Sequence, residues 1–230
     1  SAANALTSVT LSGNGSAHSF NLTDAEGLAT VTMTGSQNVT AIVDAADVDA
    51  LTSNKITVVD NTADAASANI TTTLTLLGTA GDVDASAAAV DVVNLDTDNA
   101  AKTLTVASGA TVAIARDQAG TTTIDGPDAG ASSNSITINI NDGNVAANDT
   151  PDVTGGLTLT DFKTATIDAS VESTTVAGAT LDMTTLTSID GSSDNTNLTI
   201  KAGSNLITLG GAHTVGTGSF TIESDVAVDL

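Results

Sequence analysis

Short apolar pulses at a near-constant spacing constrain this chain more than any other feature. From Asn197 to Asp225 it reads NLTIKAGSNLITLGGAHTVGTGSFTIESD, where Leu198/Ile200, Ile207/Leu209 and Phe220/Ile222 recur about every ten residues. Each pulse alternates apolar and polar side chains, as a strand with one buried face does. None shows the i, i+3, i+4 recurrence of an amphipathic helix. The same pattern fills the rest of the chain, in SVTLSG, HSFNLTD, LATVTMTG, NVTAIVD, KITVVDN, VDVVNLD, KTLTVASG, TVAIARD, SITININDG and KTATIDAS. Breaks fall at Asp125-Gly126, Asp142-Gly143 and Asp190-Gly191, dipeptides that favour turns.

Composition agrees. The acidic residues are nearly all Asp, with Glu26, Glu172 and Glu223 the only glutamates. Asp favours turns and caps, whereas the good solvent-facing helix formers are scarce here. Thr, Val and Ile are plentiful and suit pleated strands. Helix is credible only in three Ala/Asp runs, 44–53, 61–69 and 84–91, each too short to stand unless docked. The formal charge of −22 and 1% aromatic content lean toward disorder. The 40% hydrophobic content, laid out in regular pulses, outweighs them in favour of a folded all-β chain.

Strands at this spacing suit a β-sandwich array or a parallel β-helix (β-solenoid). An inter-sheet sandwich core is about 10 Å thick, and immunoglobulin-like versions use Trp and Tyr; this chain has neither. A parallel β-helix can fill a thinner interior with Val, Ile, Leu, Ala and Thr. The expected fold is therefore a β-solenoid with irregular rungs and at most short docked helices, with the sandwich array as the alternative. The polar stretch 141–156 reads as a long rung loop, or as a junction between two modules.

The charge excludes ordinary nucleic-acid binding, which needs basic groups against phosphate, and argues against anionic membranes. No span approaches the ~20 apolar residues of a membrane helix, so no membrane insertion is expected. Divalent cation is the natural partner. Ca²⁺ takes six to eight oxygens, and residues i and i+2 of an extended segment point to one side. The Asp-x-Asp pairs Asp47/Asp49, Asp82/Asp84 and Asp96/Asp98, the last followed by Asn99, are candidate ligands. So are Asp142, Asp149, Asp152, Asp190 and Asp194 in the clusters NDGN, NDTPD and DGSSDN. Each cluster also reads as an ordinary solvated turn.

Catalysis finds little support. His18 and His213 are the only histidines, and both flank strands. The basic residues Lys55, Lys102, Arg116, Lys163 and Lys201 are spread over the length. A β-helix polysaccharide-active enzyme stays as a rival, as does an adhesin or ice-binding stalk module. The rows TTTLTLL, TTTIDG and GLTLTDF place Thr on one face, but a Thr-x-Thr repeated at each rung is missing from the sequence.

The stretch LTSIDGSSDNTNLTIKAGSNLITLGGAH (Leu186 to His213), and ATIDAS (Ala165 to Ser170), resemble bacterial surface-layer (S-layer) and adhesin proteins of the repeats-in-toxin type. That family's Gly-Gly-x-Gly-x-Asp nonapeptide is absent, since Gly210-Gly211 is followed by AHTVGTG; no ligand is carried over from it. The resemblance implies secretion to the bacterial cell surface, a β-solenoid body, Ca²⁺-linked folding and lateral self-association into a sheet. Residues 1–230 are thus expected to form one solenoid segment of a larger surface protein. The opening SAANAL and the end at VAVDL are read the same way. The expected role is structural, not enzymatic, with further copies and cell-surface glycan as partners.

Overall fold

The structure, a computed structural model, describes residues 6–63, 70–78, 82–96, 102–114, 121–127, 133–140, 157–168, 180–183, 188–190, 196–203, 206–209 and 212–225. The chain is all-β. In order its first elements are β1 (Ser8–Gly13), β2 (His18–Asn21), β3 (Thr30–Gly35), β4 (Val39–Asp44), α1 (Ala45–Asp49), β5 (Lys55–Thr62), β6 (Thr72–Leu77) and β7 (Val83–Ala88). There follow β8 (Val92–Asp96), β9 (Lys102–Val106), β10 (Ala110–Ile114), β11 (Thr122–Asp125), β12 (Ser135–Ile140), β13 (Leu157–Thr160) and β14 (Thr164–Asp168). The last are β15 (Thr180–Met183), β16 (Ser188–Asp190), β17 (Asn197–Gly203), β18 (Leu206–Leu209), β19 (Ala212–Thr214) and β20 (Phe220–Ser224).

Up to β14, successive strands alternate between two sheets. The first sheet runs β1-β3-β5-β7-β9-β11-β13-β16-β19, and the second β2-β4-β6-β8-β10-β12-β14-β17-β20. Each strand lies parallel to its neighbours, as Ser8–Gly13 opposite Thr30–Gly35 and Thr164–Asp168 opposite Asn197–Lys201 show. Hairpin-linked, opposed strands are thereby ruled out among the described pairs. After β14 each passage gains a third strand, and β15 and β18 pair parallel in a small sheet of their own. Residues 141–156 lie outside the described residues; on either side of them β11 pairs with β13 and β12 with β14.

Sequence separation between paired strands is not constant. It ranges from 19 residues (Thr73 to Val92) to 35 (Thr122 to Leu157). Apart from shifts at Lys55/Thr57 between β5 and β7 and at Lys201/Gly203 between β17 and β20, register is held, because a slip of one residue along a whole strand would turn its apolar side chains outward. The inward positions of the second sheet form one continuous column: Phe20, Ala41, Leu74, Val93, Val112, Ile138, Ile167, Ile200 and Ile222. A second column joins Val43, Leu76, Leu95, Ile114 and Ile140. In the first sheet Val83, Leu104, Ile124 and Leu159 stack likewise. Both sheets contribute to a single buried cluster, in which Phe162 is the one fully buried aromatic among the described residues. Small aliphatic side chains are enough here because each is covered above and below by its register partners.

Polar groups in the corners are paired. Asn134, 5% exposed, donates from Nδ2 to the carbonyls of Pro127 (3.1 Å) and Asp161 (3.0 Å). Thr196 Oγ1 donates to Phe162 O at 2.7 Å, and Asp91 Oδ2 accepts from both N–H and Oγ1 of Thr72. Lys102 occupies an inward position of β9 and is 6% exposed.

Thr122, beside Lys102 and Leu157 in register, is the exception: its Oγ1 is buried and has no hydrogen-bond partner among the described residues. A buried hydroxyl without a partner costs about 1–3 kcal/mol in lost hydration. Thr122→Val keeps the branched shape and removes that penalty. It is expected to raise stability by about 1 kcal/mol in urea titration; a lower midpoint would show that the hydroxyl is satisfied in solution.

The helical expectations are corrected here. Of the three candidate runs, 44–53 contains helix, the five-residue α1. Within 84–91, residues Asp84–Ala88 belong to strand β7. Within 61–69, Asn61 and Thr62 end β5, and residues 64–69 lie outside the described residues. In β7 the inward Val83, Ala85 and Ala88 are buried, so packing overrides the helix preference of alanine.

Candidate functional site

Asp47 and Asp49 sit on α1, not on the extended segment assumed for their convergence. At 3.6 residues per turn, i and i+2 point to nearly opposite sides. Asp44, the N-cap, accepts from Ala46 N–H at 2.8 Å, and Asp49 Oδ1 accepts from Asn54 Nδ2 at 3.1 Å. Asp82 Oδ1 takes the N–H of Thr103 on the next strand of the first sheet, at 2.9 Å. Asp84 accepts from Ser86 N–H at 2.9 Å and lies 3.2 Å from Lys55 Nζ, which also donates to Ser86 Oγ. Asp96 ends β8 and Asp190 ends β16. Asp98, Asn99, Asp142, Asp149, Asp152 and Asp194 lie outside the described residues.

Among the described residues no group of three His, Cys, Asp or Glu side chains is placed to hold a metal ion. The candidate carboxylates of Asp49, Asp82 and Asp84 are engaged with Asn54, with backbone amides and with Lys55. His18 Nε2 lies 3.2 Å from Asn14 O, and its ring is 5.9 Å from that of Phe20.

Electrostatics differ at two of these acids. Asp47 is held above the ordinary aspartate range by burial and then by the charges of Asp44, Glu26 and Asp24. Burial also pushes Asp84 up, but hydrogen bonds from Ser86 and the contact with Lys55 outweigh it, and its net shift is downward. A depressed folded pKa adds stability above the unfolded value of about 3.9, lost as pH falls through the folded value. A raised one subtracts stability at neutral pH and restores it on acidification. Asp84→Asn is accordingly expected to lower the melting temperature at pH 7 by more than at pH 3. Asp47→Asn should raise it at pH 7, with the gain vanishing below the carboxylate range. Both are read from melting curves across pH 3–7, and parallel curves for wild type and variants would contradict them.

The outer faces of the sheets carry what linear sequence did not display. On the second sheet one outward column reads Ser19, Thr40, Thr73 and Val92 in consecutive strands. It continues from β10 as Thr111, Thr137, Thr166, Thr199 and Thr221. The neighbouring outward column is Asn21, Ile42, Thr75, Asn94, Ala113, Asn139, Asp168, Lys201 and Glu223, in which Thr75 is itself buried. On the first sheet, Thr103, Thr123 and Thr158 align, and beside them Asp84, Thr105, Asp125 and Thr160. Thr160 Oγ1 donates to Asp125 Oδ1, its register partner in the same row. The sequence signal for these ladders is the Thr that neighbours Ile, Leu or Val in each pulse; unequal separations conceal their alignment.

Among the described residues no helix is long and apolar enough to cross a membrane. The chain matches no protein-family model, no curated protein and no solved structure.

Proposed function

We propose that this chain is a β-solenoid segment of an extracellular, self-associating surface layer, with a structural role and no catalytic one. The observation that carries the reading is the continuous apolar column, which passes through every strand of the second sheet while strands up to β14 alternate between two parallel sheets. Winding of this kind makes a body whose cross-section repeats and whose neighbours along the axis support one another. Such a body suits load-bearing and lateral packing. The carboxylates brought together near α1 and the formal charge of −22 make self-association dependent on cations. Like charges on approaching copies repel unless neutralised or screened within about 8–10 Å. Ca²⁺ is the cation of this reading, acting through the acidic stretches around Asp98, Asp142, Asp149, Asp152 and Asp194.

Electron microscopy and light scattering of the purified chain, with Ca²⁺ and with excess chelator, test this. Sheets or large particles are expected in Ca²⁺, with dispersal and a lower melting temperature in chelator, because a ligand that binds the ordered state stabilises it. Unchanged melting and particle size in chelator would remove Ca²⁺ from the reading. A chain monomeric under both conditions would remove self-association.

A further inference from the structure

The geometry points to the threonine ladder of the second sheet as the surface through which two copies of this chain associate, an inference that rests on the self-association just proposed. Charge is the first reason. On a chain of formal charge −22, the column through Thr40, Thr73, Thr111, Thr137, Thr166 and Thr199 carries no ionisable side chain from end to end. The corresponding columns of the first sheet are interrupted by Asp84 and Asp125 and by the register position of Asp190. The same outer face carries Asp168, Lys201 and Glu223 in the next row and Asp44 and Asp96 at its edge, so a contact centred on the ladder keeps carboxylates beside it and not within it.

The second reason is order. Threonine is β-branched, so its side chain has few rotamers to lose on contact. Strand spacing repeats the methyl and hydroxyl groups every ~4.8 Å, which lets one ladder seat between the rungs of another. The third is size. The nine strands of the sheet, with about three outward positions each, cover roughly 40 by 14 Å, about 550 Å² a side and about 1,100 Å² for a pair. That is close to the lower end of specific interfaces, about 1,200 Å². At one end of the face Asp168, Lys201 and Glu223 succeed one another in register.

The test is sedimentation of the full chain in Ca²⁺, comparing Thr166→Glu/Thr199→Glu with the same charge change on the first sheet, Thr123→Glu/Thr158→Glu. Association at least tenfold weaker in the first pair, and within threefold of wild type in the second, is expected. Equal weakening in both pairs overturns the ladder and leaves self-association standing. A wild type that never associates overturns both. If that monomer shows thermal hysteresis that Thr166→Glu removes, the ladder faces ice instead. Should the Glu pairs melt early, the absence of cysteine from the chain allows a milder probe. Thr166→Cys should be joined between copies by a short bismaleimide, and Thr123→Cys should not; equal or absent joining at both positions counts against the ladder.

Discussion

Ile138→Ala is expected to lower the stability of this chain by about 3–4 kcal/mol and its melting temperature by about 10 °C. Ile138 is fully buried and stands between Val112 and Ile167 in the apolar column of the second sheet. Removing three carbons forfeits their transfer free energy and leaves a cavity that backbone hydrogen bonds above and below keep from closing. The interior has few large side chains able to swing into the gap: Phe162 and Met33 head the fully buried side chains by volume, and the rest are aliphatic. The loss should also be felt along the axis, because each passage of the chain is supported mainly by its neighbours. Amide exchange is expected to quicken in β10 and β14 as well as in β12. Thr137→Ala, one residue away but outward, should change stability by less than about 1 kcal/mol. Similar effects of the two substitutions in urea titration would mean that the column is not the core.

The second large effect is expected at Gly35. Its φ is +107°, and a Cβ placed there would lie 2.3 Å from the carbonyl oxygen of Gly13 and 2.7 Å from its carbonyl carbon. These two glycines are register partners at the ends of β3 and β1, so the obstacle is backbone, which has no rotamer to yield. Gly35→Ala combines left-handed strain of about 1–2 kcal/mol with separation of β1 from β3, for a total of about 3 kcal/mol or more. Because β1 is an edge strand, the damage should be local: exchange protection lost over Ser8–Gly13 and kept from β5 onward. Gly109 is the control. Its φ is +82°, and the space that an added methyl group would enter there is open to 4 Å. Gly109→Ala should therefore show the backbone strain alone, about 1 kcal/mol. Equal losses at the two sites would mean that β1 and β3 do not approach as described.

Much of the fold was legible because strand formation here is a local matter. SVTLSG, LATVTMTG and NVTAIVD read as strands from alternation alone, and they become β1, β3 and β4. The turn-prone Asp-Gly pair at Asp125-Gly126 closes β11 as expected. Where tertiary contacts decide, the reading failed. DASAAAVD has the alanines of a helix, yet β7 is held extended by Leu104 and Val106 beside its inward residues and by the Lys55–Asp84 pair outside. Asp47 and Asp49 lie in the run 44–53, whose alanines and aspartates do form helix, so the extended geometry assumed for their convergence does not apply. The surroundings of the candidate ligands were hidden for a related reason. Asp-x-Asp spacing says which side chains are near in sequence, while the group that engages Asp82, and the cation that joins Ser86 in engaging Asp84, come from other strands. Thr103 stands 21 residues beyond Asp82, and Lys55 reaches Asp84 from β5.

By itself the sequence determined that the chain is built of short strands with small apolar inner faces, and that it carries a large negative charge. Both are properties of single residues and their immediate neighbours. Only the tertiary structure decided that Thr111, Thr137, Thr166, Thr199 and Thr221 stand in one row. Their separations along the chain are unequal, and register is set by which apolar residues can stack inside, a condition that no local pattern encodes.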